Sequence, residues 1–204
     1  MKHLILLSLF LLSLIACVKD RIQPPPPQVV TTGDSLLYYW DFNLADSSNR
    51  TPVYTRAGLG PASFSYSASY IDFTTGSNLN LHNNSIAGSC LRVRNPSNFL
   101  IFFMPTTGYK NVVLQYAEER TSSGPNQNAV SYTTDGSNYI TTAITNSSSY
   151  LTDTTFTLQS FDFSADANVN NNPRFAVKIA FTAGNTGTSG NDRFDNVSLV
   201  GTKE

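Results

Sequence analysis

Apolar and polar residues alternate along most of this chain, which is the pattern of a β-strand with one buried face. Near residue 40, four large apolar residues share one face: Leu36, Tyr38, Trp40 and Phe42. Further alternating or apolar stretches, separated by Gly, Pro, Asn and Asp, lie at 62–66, 70–73, 89–94, 99–104, 110–120, 129–134, 139–144, 156–163, 174–181 and 193–200. No stretch has the 3.6-residue period of an amphipathic helix. The pattern therefore predicts an antiparallel β-sandwich or barrel. The unbroken apolar run at 99–104 predicts a strand covered on both faces or a strand at the centre of a sheet.

The first residues have a different pattern, typical of an export signal. Lys2 is followed by an apolar run over 4–14 and by the small residue Ala16. This run is shorter than the roughly 20 apolar residues that a membrane-spanning helix needs, so we interpret 1–16 as a cleaved signal peptide. The stretch 14–17, Leu-Ile-Ala-Cys, resembles the bacterial lipobox. That resemblance implies that Cys17 becomes the first mature residue and carries fatty acyl chains such as palmitate; the alternative is an ordinary signal peptide with an incidental cysteine.

The segment that follows predicts a spacer between this lipid and the β-domain. Its four consecutive prolines, Pro24–Pro27, favour a stiff polyproline II conformation of roughly 3 Å per residue. We therefore divide the chain into a lipoprotein signal peptide (1–16), a lipidated cysteine with a Pro-rich linker (17–33) and one β-domain (34–204). The expected location is the bacterial envelope, at the outer membrane or the cell surface, with the membrane contacted through the N-terminal lipid.

Composition narrows the possible partners. The chain has 13 Lys and Arg against 14 Asp and Glu, so it lacks the basic field that nucleic-acid binding requires. It has two cysteines. If Cys17 is acylated, Cys90 has no partner within the chain, and we predict it to be a small buried residue in a strand. We expect a monomer.

The sequence offers little for catalysis. His82 is the only histidine after the signal peptide, and no nucleophile elbow accompanies it. Glu118 and Glu119 are adjacent on a predicted strand, so they point to opposite faces and cannot form the carboxylate pair of a glycosidase. We therefore predict that the protein is not an enzyme.

Three short motifs, taken together, resemble a known family. They are Tyr-Trp-Asp-Phe-Asn at 39–43, Val-Ser-Tyr-Thr-Thr-Asp-Gly at 130–136 and Asp-Arg-Phe-Asp-Asn-Val-Ser-Leu-Val-Gly at 192–201. They resemble the jelly-roll β-sandwich domains of exported Bacteroidota lipoproteins, which are similar to carbohydrate-binding modules of the galactose-binding-like superfamily. The resemblance covers the whole of 34–204 and implies a jelly-roll fold.

The same resemblance implies a metal site. In that superfamily an aspartate of the last strand coordinates a structural Ca²⁺, and Asp195 matches its position, with Asp41 and Asn43 as first-strand partners. The chain departs from the family because it lacks the glutamate that such modules commonly supply near the first strand. The alternative is that Asp195 accepts backbone N–H groups or pairs with Arg193 or Arg174.

A sugar site requires aromatic rings beside polar groups. Tyr116, Glu118 and Arg120 alternate along one strand face and are the candidate ligand-binding residues; the alternative is a solvated strand end. We predict a non-catalytic module that binds a polysaccharide. The alternative function is a structural or adhesive envelope module that binds a protein partner. An exposed row of two or more aromatic rings beside polar groups would favour the first.

Overall fold

The computed structural model describes residues 33–68, 70–184 and 186–204. Over these residues the chain forms twelve β-strands and one short 3₁₀ helix, Ala167–Val169. The strands are β1 (Asp34–Trp40), β2 (Tyr54–Thr55), β3 (Ser63–Tyr66), β4 (Ile71–Thr75), β5 (Ser89–Arg94), β6 (Phe99–Phe103), β7 (Tyr109–Arg120), β8 (Gln127–Thr133), β9 (Ser149–Leu151), β10 (Thr157–Asp162), β11 (Ala176–Ala183) and β12 (Asn191–Lys203). The predicted signal peptide, Cys17 and the proline-rich linker lie outside the described residues. Within the described ranges, no helix has the length and apolar composition needed to cross a bilayer.

The strands form two antiparallel sheets. The seven-stranded sheet has the order β10-β7-β12-β1-β2, and the β4–β5 pair joins it through β12. The five-stranded sheet has the order β3-β6-β11-β8-β9. Their apolar faces share one core of buried aromatic and aliphatic residues. The arrangement confirms the predicted antiparallel β-sandwich.

The long strand β12 organises the larger sheet. One of its edges pairs with β7, while the other pairs first with β5 through 191–194 and then with β1 through 197–202. The change of partner coincides with an irregularity after Asp195, where Asn196 has a positive φ of 50°. This irregularity places Asp195 and Asn196 where the β1 and β5 ends of the sheet meet.

A second irregularity, in β1, changes which residues face the core. The pairing with β12 shifts between Leu36 and Tyr38, so that Leu37 is fully buried in the core cluster and Leu36 is only half-buried. The prediction that Leu36 shares the buried face of Tyr38 and Trp40 is therefore wrong. The predicted packing of Trp40 is confirmed, since its ring lies 5.2 Å from that of Phe102 between the sheets.

Other details of the sequence prediction are confirmed or corrected. Cys90 is a buried, unpaired cysteine in β5, as expected. The predicted strand at 139–144 does not form; Ile140 makes only an isolated bridge to Tyr132. The run at 99–104 forms β6, which lies between β3 and β11. Only one face of this strand is buried, because Leu100 points inward whereas Phe103 is 39% exposed.

Candidate functional site

The outer side of the five-stranded sheet carries three large apolar side chains of β6, with one tyrosine and one lysine beside them. We call it the aromatic face, and its members are Phe99, Ile101, Phe103, Tyr139 and Lys178. Side chains alternate along a strand, so the inward direction of Leu100 and Phe102 sends their β6 neighbours outward. Sequence analysis missed this face, although an apolar run without polar outward positions was the signal for it.

Small residues form the floor of the aromatic face. The partners of Phe103 and Phe99 on β11 are Ala176 and Ala180. Ala180 in turn faces Ala129 on β8. Ala180 and Ala129 are half-buried and Ala176 is fully buried, and their methyl groups rise less than the aromatic rings of β6.

Lys178 supplies the charged group of the aromatic face. Its ammonium lies 5.2 Å from the centre of the Phe99 ring and 5.4 Å from that of Tyr139. Both distances are those of cation–π contacts, which hold the ammonium in place without using up its three hydrogen-bond donors. Burial raises the pKa of Tyr139, so its phenol remains a neutral O–H group at physiological pH. Ser131, directly opposite Lys178 on β8, adds a hydroxyl group.

The predicted ligand-binding row lies elsewhere and faces inward. Tyr116 is fully buried and Glu118 is 1% exposed, because this side of β7 faces the other sheet. Arg120 is half-buried at the strand end, where its guanidinium donates to the backbone oxygens of Thr152, Thr121 and Ser122. The prediction of a sugar-contacting row is wrong for Tyr116 and Glu118, since no ring face or carboxylate oxygen reaches the surface.

These inward residues belong instead to a buried polar cluster between the sheets. The amide Nδ2 of Asn128 donates to Glu118 Oε1 at 2.7 Å and to Asp192 Oδ2 at 2.6 Å. The Tyr150 hydroxyl donates to Glu118 at 3.1 Å and lies 2.8 Å from that of Tyr116. Burial and the neighbouring carboxyl group of Asp192 raise the pKa of Glu118 well above its usual range. Both effects favour the protonated form of the Glu118 carboxyl group.

The predicted metal ligand Asp195 is also fully buried. Its Oδ2 accepts the backbone N–H of Ser77 at 2.6 Å, and its Oδ1 accepts that of Asn196 at 2.9 Å. Burial and the negative charge of Asp41 raise the pKa of Asp195 to about 7. These contacts match the alternative of backbone N–H donors; Arg193 pairs with Glu119 instead.

The other two predicted ligands hold the loop at 76–88 against β1. Asn43 Oδ1 accepts the backbone N–H of Ser89 at 2.7 Å, and its Nδ2 donates to Ser85 and Ile86. Asp41 Oδ2 accepts the Ser85 hydroxyl at 2.9 Å. Two carboxylates and an amide oxygen are ligand types that suit Ca²⁺.

A cation would have to share these oxygens with the hydrogen bonds already present. Among the described residues, no group of three or more His, Cys, Asp or Glu could hold a metal ion. Calcium at Asp195, Asp41 and Asn43 therefore stays a prediction.

Comparisons with known proteins identify no family. No family model and no curated protein sequence matches the chain. Solved structures do match. Domain 4 of a GH43 extracellular arabinanase from Geobacillus stearothermophilus, in complex with arabinotriose, is 9% identical over 84% of this chain and 95% of that one, with a TM-score of 0.49. The CBM22-1 xylan-binding domain of Paenibacillus barcinonensis Xyn10C is 10% identical over 85% and 99%, with a TM-score of 0.43.

Other matches have different descriptions. The K1 cleaved adhesin domain of Lys-gingipain from Porphyromonas gingivalis W83 is 11% identical over 81% of this chain and 97% of that one, with a TM-score of 0.43. The chain spans only 20% of a matched bacteriophage CBA120 tailspike protein and 27% of a matched α-L-arabinofuranosidase. At TM-scores below 0.5 these likenesses define no family, so the function is inferred from the geometry of the chain itself.

Proposed function

We propose that the protein is a non-catalytic glycan-binding module that uses the aromatic face. One observation carries this proposal: the Lys178 ammonium lies between two aromatic rings on an open sheet face. A sugar ring has apolar C–H faces and a rim of hydroxyl groups. Its C–H face would pack on Phe99 or Phe103, and its hydroxyls would accept hydrogen bonds from the ammonium.

The shape of the face favours a polymer over a single sugar. Phe99 and Phe103 are four residues apart on β6, which corresponds to about 13 Å at the usual strand rise. Two rings at this spacing extend over more than one sugar unit of a polysaccharide chain. We propose in addition that the module binds its ligand without cleaving it.

The attachment of the domain is proposed from sequence alone. Acylation of Cys17 would anchor the chain in the bacterial envelope, and the proline-rich linker would hold the β-domain away from the lipid surface. In that arrangement a monomeric domain would present its aromatic face to polysaccharide outside the membrane.

A structural or adhesive function, with a protein partner, is the second candidate. It is favoured by the apolar side chains at this face, such as Ile101 and the 39% exposed Phe103, which form no hydrogen bonds with sugar hydroxyls. A protein partner would bury these side chains as the core of an interface.

Both candidates are tested by titrating the purified protein against an array of plant, host and microbial glycans. Phe103→Ala and Lys178→Met are each expected to weaken specific binding about tenfold, which corresponds to about 1.4 kcal/mol. Leu44→Ala is the matched control, because Leu44 is an apolar residue 72% exposed just after β1, on the other sheet. Binding that survives both aromatic-face variants would rule out this site, and no binding to any glycan would favour the protein-partner candidate.

A further inference from the structure

A row of charged side chains crosses the outer side of the seven-stranded sheet, away from the aromatic face. Strand register places Asp72 opposite Arg92, Arg92 opposite Arg193, and Arg193 opposite Glu119. We call these four residues the arginine row. Their side chains lie on the outer face, because sequence neighbours such as Phe194 are buried in the core. Two arginines therefore stand side by side at the centre, with one acid at each end.

The two acids hold the arginines from the outside. Arg92 donates through Nε and Nη2 to the two carboxylate oxygens of Asp72, at 2.6 and 2.7 Å. Arg193 donates through Nη1 to Glu119 and through Nε to Asn191. No described residue accepts a hydrogen bond from Nη1 of Arg92 or from Nη2 of Arg193. Each guanidinium is thus fixed in place and keeps donor capacity.

Positive charge exceeds negative charge around the row. Arg94 also donates to Asp72, at 2.7 Å, so one carboxylate serves two guanidinium groups. With Glu119, this gives three cations and two anions in a chain whose formal net charge is −1. Like charges directly opposite each other on neighbouring strands are unfavourable, and an anion between Arg92 and Arg193 would relieve that repulsion.

An aromatic platform adjoins this excess charge. Tyr70 is 54% exposed, and the Arg94 guanidinium lies 5.8 Å from the centre of its ring. An open ring beside fixed guanidinium groups fits a ligand with both an apolar face and an anionic group. Neighbouring strands lie about 5 Å apart, so one carboxylate or sulfate could contact both central arginines.

We propose that the arginine row and Tyr70 form a second binding site, which takes an acidic sugar unit bearing a carboxylate or a sulfate group. Arg92 and Arg193 contact the anionic group, and the ring of Tyr70 packs on the sugar. Only the choice of a sugar as ligand rests on the proposed function; the site itself lies on the opposite sheet and shares no residue with the aromatic face.

Titrations of the purified protein with polygalacturonate, dextran sulfate and neutral dextran test this site. We expect at least one acidic polymer to bind more than tenfold tighter than dextran, and its affinity to fall as salt concentration rises. Binding of polygalacturonate alone would identify the carboxylate as the ligand group, and binding of dextran sulfate alone would identify the sulfate. Equal affinity for all three polymers would overturn the proposal.

Variants separate this site from the aromatic face and from simple loss of charge. Tyr70→Ala and the double variant Glu119→Gln/Arg193→Gln are each expected to weaken acidic-polymer binding about tenfold. The double variant conserves the net charge and leaves no unpaired carboxylate, so it preserves the fold. Lys203→Gln removes a positive charge at the opposite end of β12 and should have no more than a small effect. Phe103→Ala should leave acidic-polymer binding unchanged. Wild-type affinity in both Tyr70→Ala and the double variant would overturn the assignment, even if the aromatic face binds its own ligand.

Discussion

The carboxyl groups of Glu118 and Asp192 accept hydrogen bonds from the same amide nitrogen in the interior of the sandwich, where neither side chain is more than 1% exposed. They come from β7 and β12 of one sheet, and Asn128 from the facing sheet bridges them. Two ionised carboxylates in such a place would repel each other strongly. The pair is therefore stable in the singly protonated state.

This shared proton predicts that stability decreases as pH rises. The pKa of Glu118 is raised in the folded state, above its unfolded value of about 4.3. The folded chain therefore binds the proton more tightly, and its contribution to stability is complete below about pH 4 and is lost as pH rises toward the folded pKa. Glu118→Gln removes this titration. As pH rises from about 4 toward the folded pKa, the wild type should lose stability relative to the variant. The expected loss is up to about 1.4 kcal/mol in the free energy of unfolding per pH unit.

Urea unfolding at several pH values between 4 and 9 provides the measurement. Other groups that face the pair are Arg120, Tyr116 and Tyr150, and Glu118→Gln leaves all of them in place. Asp192→Asn should also make the free energy of unfolding depend less on pH, because it too removes one of the two carboxyl groups. If both variants keep the wild-type slope, the two carboxyl groups do not share a proton.

Gly76, the first residue of the loop that covers Asp195, has no room for a side chain. A Cβ atom at this position would lie 2.1 Å from the backbone oxygen of Ala87 and 2.4 Å from Asp195 Oδ2. Gly76→Ala should therefore lower the free energy of unfolding by about 1–3 kcal/mol, the usual cost of overpacking. Gly60→Ala is the control in the same denaturation experiment, since its Cβ would meet Pro105 at an ordinary 3.7 Å. Equal stabilities for the two variants would show that the loop gives way at Gly76.

Calcium binding predicts that the melting temperature differs between protein treated with chelator and protein loaded with Ca²⁺. If Ca²⁺ is bound by Asp195, Asp41 and Asn43, a chelator should lower the melting temperature of the wild type, because a ligand that binds only the folded state stabilises it. Asp195→Asn keeps an oxygen for the Ser77 or Asn196 N–H group but loses the charge, so its melting temperature should not respond to chelator. An unchanged wild-type melting temperature would mean that the hydrogen bonds alone hold this loop.

Acylation of Cys17 predicts a labelling result that is independent of the β-domain. Cells that express the full chain should incorporate radiolabelled palmitate into the wild type and not into Cys17→Ser. Cys90→Ser is the matched control, because Cys90 is buried in β5 and should have no effect on labelling. Palmitate in the Cys17→Ser protein would show that the lipobox interpretation is wrong.

The sequence predicted the strands better than the direction of their faces. A two-residue period shows that Tyr116, Glu118 and Arg120 share a face, but not which side of the sheet that face is on. Their polarity suggested solvent. The structure gives Glu118 partners from β8 and β12, and contacts over such separations leave no local pattern. The bulge in β1 likewise exchanged Leu36 for Leu37 in the core through pairing with a distant strand.

The site was only partly predictable for the same reason. Asp195, Asp41 and Asn43 were predicted from a family resemblance; they lie in one region of the fold, and their role as calcium ligands stays a prediction. The aromatic face depends on which strands flank β6 and on the return of Tyr139 over β8, and a single sequence contains neither. The arginine row depends on the relative register of four strands, which is fixed only when the complete sheet forms.

The pairing of β1 with β12 also determines when this protein can fold. Asp34 and Thr202 lie side by side, joined by a hydrogen bond across a separation of 168 residues. A nascent chain that has not yet been synthesised as far as β12 leaves open the edges of β1, β5 and β7 that β12 joins. Folding dominated by such distant pairings is slow, and open strand edges promote aggregation in the meantime. The domain therefore cannot mature progressively from its first strand, because the strand that joins the larger sheet is the last of the twelve described strands to be synthesised.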